Sequence, residues 1–390
     1  MRMTAKRIFA FVSALLFVFC AIPAAGVFAD AYDQHDVSKL RTFFEYTCVF
    51  GVKNGESVNG SGYDPSDPST WSKSCVWDVN TGKLKSFTMT EQGSWVTGVL
   101  DLDGFTGLET LVIQDCYISG VVLSGCTSLK HLDLSGDRLT EISVSDCAGL
   151  ENLLARENAF TSIDLSNNAA LRFIDLYENK LESLDVSACT ELFKLNCQRN
   201  SLTGIDLSNN LKLTELELRT NLIASVDISM LTELKVFNSR ANRLTSLDLS
   251  VMNGGESFIL DSEPGGFIGT YFAPTGGGGY SPFVSYSALE GFVFLGWYSD
   301  DVFLSSESSL PVVFSDGEKH ITARFMLPGD ADISGKVEAS DALLVLRFAM
   351  GLISANGIRP EAADVDKSGS IDASDALLIL RFAMGIIDSF

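Results

Sequence analysis

An apolar residue returns every 21 positions from Leu108 to Leu234, through Leu129, Leu150, Leu171, Leu192 and Leu213. The units follow L-x-x-L-x-x-x-x-N-x-L-x-x-[IL]-D-[LIV]-S with small changes, and none of the seven carries an insertion. Self-similarity at a fixed period in the twenties dictates a solenoid, because one coil cannot bury its apolar side and must stack on the next. Position 4 runs Leu111, Leu132, Leu153, Ile174, Leu195, Leu216, Phe237, and a short strand is expected around positions 3 to 8. Position 9 runs Cys116, Asp137, Asn158, Asn179, Asn200, Asn221, Asn242. An Asn side chain has both donor and acceptor groups, so this column can bond the turning backbone of adjacent coils. At roughly 4.8 Å per strand the stack spans on the order of 35 Å.

The pattern resembles leucine-rich repeats, and its 21-residue unit with interior cysteines is most similar to the bacterial internalin type. That resemblance implies an arc of short parallel strands over residues 96–260. Strand positions 3, 5 and 7 would face its concave side. Arg156, Phe173, Tyr177, Arg219 and Arg240 are the candidate ligand contacts there, since Tyr and Arg are common anchors in protein recognition. Cys126, Cys147 and Cys189 share position 19 and Cys197 holds apolar position 6, the places of buried thiols.

Before the repeats, Arg2, Lys6 and Arg7 precede an apolar stretch, Ile8 to Cys20, and a small-residue cleavage site near Val27 to Ala29. This is the anatomy of a signal peptide over residues 1–29, and its apolar stretch is too short to span a membrane. Loss of its three cations takes the net charge from −22 to −25. So acidic a chain is a poor partner for nucleic acid or anionic lipid, and suits an extracellular protein that holds calcium. Residues 30–95 read as an N-terminal cap over the first bare coil. A helix is expected from Asp36 as its capping residue, then a polar loop from Asn54 to Ser72, then strands at Cys75–Asp78 and Leu84–Met89. The secreted setting makes a Cys48–Cys75 disulfide plausible.

The period breaks after Gly254, and Phe258 to Leu260 read as a last degenerate coil. Residues 261–327 then carry Gly291-Phe292-Val293-Phe294-Leu295-Gly296-Trp297-Tyr298 and Ile321-Thr322-Ala323-Arg324-Phe325. This arrangement resembles the small β repeats of bacterial surface proteins, of the Listeria–Bacteroides and internalin B types. A spacer and C-terminal cover for the solenoid is the expected role.

From residue 328 two segments repeat at a 34-residue offset. Asp330, Asp332, Ser334, Lys336, Glu338 and Asp341 occupy loop positions 1, 3, 5, 7, 9 and 12 of the first. Asp364, Asp366, Ser368, Ser370, Asp372 and Asp375 occupy those of the second. Gly335 and Gly369 hold position 6. Calcium takes six to eight oxygens from such a loop, with Gly at position 6 for the sharp turn. Position 7 would give its carbonyl, and position 9 would act through water. Each loop runs into a near-identical helix. Duplicated loops that end in Asp, each followed by one helix, resemble a dockerin over residues 328–390, with Ser at position 5 where Asp is common. The resemblance implies an all-α, EF-hand-like domain, two calcium ions, and capture by a cohesin module of a scaffolding protein or cell surface. It assigns the contact to Ala339, Ser340 and Arg347 and to Ala373, Ser374 and Arg381, with two-fold alternative docking.

The expected molecule is multidomain and non-catalytic: secreted, held through a cohesin, and binding a protein or glycan on its arc. The alternatives are a carbohydrate-binding accessory of a polysaccharide-degrading complex and a cryptic glycoside hydrolase. A glycosidase needs two carboxylates across a cleft, whereas Asp133 and Asp175 stand two coils apart on an open face. His35, His131 and His320 sit in no nucleophile motif, and no phosphate loop or zinc signature occurs.

Overall fold

The structure, a computed structural model, describes residues 31–48, 51–90, 96–253, 258–263, 265–274, 280–299, 302–312 and 319–390. The expected signal peptide lies outside the described residues. Helix α1 spans Gln34–Glu45, and its N-cap is Asp33, which accepts from the His35 and Asp36 amides. Asp36, expected as the cap, is instead buried inside the first turn and accepts the Leu84 amide at 2.9 Å. The stretch from Asn54, expected as loop, holds a short helix α2, Asn54–Asn59, and a 3₁₀ turn, Pro68–Trp71. Trp71 explains this order: it is buried, with Phe44 5.1 Å away edge-on.

Strands β1 (Cys75–Trp77) and β2 (Leu84–Thr90) form an antiparallel pair. Further along come β3 (Thr97–Asp101), β4 (Thr110–Gln114) and β5 (Tyr117–Val122). The remaining coils give β6 (His131–Asp133), β7 (Asn152–Leu154), β8 (Phe173–Asp175), β9 (Lys194–Asn196), β10 (Glu215–Glu217) and β11 (Val236–Asn238). From β6 onward each strand covers positions 3 to 5 only, shorter than expected, because the backbone already turns at position 8. Glu157, Glu178, Arg199, Thr220 and Ala241 sit there with φ near +55°. The nine-stranded sheet runs β1-β2-β4-β6-β7-β8-β9-β10-β11. Its parallel register places Phe87, Leu111, Leu132, Leu153, Ile174, Leu195, Leu216 and Phe237 in one row. The cap therefore adds its own strand to the sheet and covers the first coil as one more layer.

The Asn column works as the letters imply. Asn158, Asn179, Asn200, Asn221 and Asn242 each accept an amide of the preceding coil at 2.7–3.1 Å. Each also donates to a carbonyl 24 residues earlier at 2.6–2.9 Å. The position-19 column mixes Cys126, Cys147 and Cys189 with Asn168 and Asn210, all buried. The thiols are free, Cys48 and Cys75 included, so the disulfide expected between those two is not formed.

Beyond β11 the chain makes β12 (Ser246–Asp248), β13 (Phe258–Ser262), β14 (Gly266–Pro274), β15 (Tyr280–Ala288), β16 (Val293–Ser299), β17 (Val302–Ser305), β18 (Ser309–Pro311) and β19 (Lys319–Met326). Phe258 to Leu260 do not form a last coil. They pair antiparallel with β12 and parallel with β19, inside the sheet β12-β13-β19-β16-β17. A second sheet, β14-β15-β18, packs beside it. Phe294 stacks on Tyr286 at 3.6 Å and lies 5.4 Å from the buried Trp297. A register shift between Phe294 and Gly296 turns both rings to one side. Strand β14 closes the open end of the solenoid: Ser239 donates to Thr270 O at 2.9 Å and Leu244 bridges Ile268.

The tail has helices α3 (Ala339–Ala349), α4 (Pro360–Ala363) and α5 (Ala373–Ala383). Its small core contains Ala342 and Val345 from α3 against Ala376 and Ile379 from α5.

Candidate metal centre and interaction faces

Each acidic loop is wound so that its oxygens converge. Gly335 and Gly369 have φ of +85° and +83°, which a residue with a Cβ adopts only at a cost. The turn lets Gly335 donate to Asp330 Oδ2 at 2.8 Å and Gly369 to Asp364 Oδ2 at 2.9 Å. The Ser334 amide bonds both Asp330 and Asp332, and the Ser368 amide bonds both Asp364 and Asp366. Position 12 is buried in both loops. Asp341 accepts from Asp332 and Glu338 amides, and Asp375 from Val365 and Asp372 amides.

Carboxylate oxygens of Asp330, Asp332 and Asp341 lie within 4.8 Å of one another, and so do those of Asp364, Asp366 and Asp375. The position-5 hydroxyls point at the position-7 carbonyls, Ser334 to Lys336 O at 3.2 Å and Ser368 to Ser370 O at 3.1 Å. Burial raises the Asp341 pKa, and the charges of Asp332 and Asp330 add to the rise. Three converging carboxylates, a hydroxyl and a carbonyl make a hard, all-oxygen donor set, the kind calcium takes. Glu338 and Asp372 stand at the N-caps of α3 and α5, where Asp372 accepts the Ser374 amide at 2.6 Å.

The six residues assigned to docking lie in the first and last turns of α3 and α5. Ala339, Ser340, Arg347, Ala373, Ser374 and Arg381 are all exposed. Sequence reasoning missed their apolar neighbours. Leu343 and Met350 are 58% and 56% exposed, and Leu377 and Met384 are 56% exposed. Ser340, Leu343, Arg347 and Met350 recur at helical spacing on one stripe, opposite the buried Ala342 and Val345. The signal was present in the sequence: each helix carries more leucines than one buried stripe can use.

On the solenoid, Arg156 and Tyr177 come together on adjacent coils, and Phe173 lies at the start of the strand that leads to Tyr177. Arg156 Nε is 3.6 Å from the buried Asp175, and its guanidinium lies 5.2 Å from the Tyr177 ring centre. Lys194 lies 5.5 Å from the Phe173 ring and 2.6 Å from Glu215. Arg219 is exposed. Arg240 is engaged by the next unit: its guanidinium stacks 3.9 Å over Tyr271 of β14, which stacks in turn on Phe283. No helix among the described residues is long and apolar enough to cross a membrane.

The dockerin type I domain family matches residues 328–382. No curated protein matches the chain by sequence. Among solved structures, the functional domain of InlJ from Listeria monocytogenes, described as including a cysteine ladder, is similar at 28% identity and a TM-score of 0.38. That match covers 45% of this chain and 44% of InlJ. A leucine-rich repeat protein of Leptospira interrogans is similar at 23% identity and a TM-score of 0.36, over 41% of this chain and 46% of the other. The chain thus spans less than half the length of either structure. With its 21-residue coils and its acidic duplicate, the chain is a parallel-strand solenoid, similar in its repeats to leucine-rich repeat proteins, whose residues 328–382 match the dockerin type I domain family.

Proposed function

We propose that the chain is a secreted, non-catalytic adaptor that docks through its tail onto a cohesin, in a complex of the kind that degrades polysaccharides, and presents its arc to a protein ligand. The observation that carries this reading is the pair of convergent acidic loops inside the matched dockerin segment. Asp330, Asp332, Ser334, Lys336 and Asp341 would hold one calcium ion through oxygen, with Glu338 acting through water. Asp364, Asp366, Ser368, Ser370, Asp375 and Asp372 would hold the second in the same way. A bound cation offsets the repulsion among carboxylates that the fold has brought together, so tail stability is linked to the metal. Ser340, Leu343, Arg347 and Met350, and their counterparts on α5, form the two faces offered to the partner.

The cap, residues 30–95, and the β unit, residues 261–327, serve the solenoid as end covers. The arc's ligand site centres on Arg156, Phe173 and Tyr177, where cation, ring and buried carboxylate adjoin. Capture of the full-length protein by a panel of cohesins, with calcium and with chelator, tests the reading. Capture in calcium that disappears with chelator supports it, and no capture by any cohesin in calcium refutes the docking role. Release of reducing sugar from cell-wall polysaccharide by the purified protein would refute the non-catalytic assignment.

A further inference from the structure

The two acidic loops share the residues at positions 1, 3, 5, 6 and 10 to 12 but do not have the same surroundings. The first sits against the β unit. A groove between them is lined by Phe292, Phe325 and Leu327 on one side and by Asp330, Ile333 and Arg359 on the other. Arg359, just before α4 in the connection between the loops, spans the seam. Its Nη1 donates to Phe325 O at 2.6 Å and its Nη2 to Glu263 Oε2 at 2.9 Å. Glu263 is held from the other side by Arg324, 3.3 Å away. The Arg359 amide bonds Ala331 O inside the first loop, so the latch and the loop share backbone.

The sequences of the two halves also differ at a position that lines the groove. Loop position 4 is Ile333 in the first half and Lys367 in the second, with φ of +62° and +57°. A β-branched residue in that left-handed region is strained, and Ile333 holds it at the rim of the groove while 54% exposed. Asp330 is 4% exposed, whereas its counterpart Asp364 is only half-buried.

We propose that the β unit is a resident partner of the first calcium loop, latched by Arg359, so that the first loop releases its ion more slowly than the second. Covering the Asp330 side narrows the path by which water and chelator reach the ion. The latch also opposes the loop opening that release requires. The inference rests on the reading of both loops as calcium sites.

The test is calcium release from the full-length protein, mixed rapidly with a fluorescent chelator. Two phases of equal amplitude are expected. Asp364→Asn with Asp366→Asn should remove the fast phase and keep the slow one. Arg359→Ala should speed the slow phase about tenfold, the change that loss of a charge-assisted bond makes, and leave the fast phase alone. Ile333→Lys copies the second loop's own residue into the first, and should speed the same phase without harm to the loop. One phase carrying both ions, or a slow phase that neither variant moves, would overturn the proposal while leaving the calcium sites intact. A protein that takes up no calcium would instead remove the calcium reading, and this inference with it.

Discussion

Asp137 Oδ1 accepts the Cys116 amide at 2.8 Å, and Asp137 Oδ2 is buried without a hydrogen-bond partner. Every later coil has Asn at this position, and each of those Asn side chains donates to a carbonyl of the preceding coil. An ionised Asp has no proton to give. Burial, with the Asp115 and Asp133 charges adding to it, pushes the Asp137 pKa up to about 8.

The folded protein therefore keeps a proton that the unfolded chain releases above about pH 4. Stability from this group is full below that point and is lost as pH rises toward about 8. Asp137→Asn supplies a permanent donor without the cost of holding a proton and should stabilise the solenoid by about 1–3 kcal/mol at neutral pH. It should also flatten the decline with pH. Urea unfolding of both proteins across that pH range checks this, and an unchanged difference at all pH values would exclude a protonated Asp137.

The converse holds further down the stack. Asn200 accepts from Leu181 at 3.0 Å and donates to Leu176 O at 2.9 Å and Cys197 O at 3.1 Å. Asn200→Ala leaves buried backbone groups unpaired and should cost about 2–4 kcal/mol. Asn200→Asp should cost a comparable amount, with a penalty that grows with pH. Denaturant midpoints of the two variants decide it; a loss under about 0.5 kcal/mol, the size of an ordinary surface change, would mean the column is decorative.

How much of this was legible follows the range of the interactions. The coils and the Asn column are local patterns, and the parallel registers of the strands follow the 21-residue period. The fate of Arg240 was not legible, because Tyr271 reaches it from a strand with no repeat signature. Phe258 to Leu260 look like a coil but are claimed by β12 and by β19, the latter a pairing across 61 residues, Phe258 to Lys319. Asp36 and Asp33 compete for one helix start, and only the distant Leu84 amide shows which of them goes inside. The exposed Leu343 and Leu377 were hidden for another reason: an apolar residue in a helix reads as core until the opposite stripe is seen to fill it.

The C-terminal cover depends on a close approach. A Cβ on Gly269 would lie 2.8 Å from Arg240 Cα and 2.9 Å from Ser239 O, both backbone and unable to move aside. Gly269→Val should force β14 off the last coil and cost about 1–3 kcal/mol. Leu244, which bridges Ile268, is fully buried under β14 and would be uncovered. Hydrogen exchange at the Thr270 amide, bonded to Ser239 Oγ at 3.0 Å, reports the displacement. Protection equal to that of the parent would show that β14 tolerates the side chain.

The two docking faces make the last prediction. Ser340, Leu343, Arg347 and Met350 repeat residue for residue as Ser374, Leu377, Arg381 and Met384, and both stripes are exposed. If either face can engage the partner, Leu343→Asp alone leaves the α5 face intact. Affinity should then fall by about twofold, the loss of one of two equivalent modes. The same holds for Leu377→Asp. The double variant removes a Leu contact from both faces and puts a charge in each, a loss of about 3 kcal/mol or roughly 100-fold in Kd. Neither leucine belongs to the tail's buried core, so thermal unfolding in calcium should be unchanged. Titration against a cohesin that captures the parent measures all three. A 100-fold loss in either single variant would show that one face alone carries the contact, and an intact double variant would place the contact elsewhere on the tail.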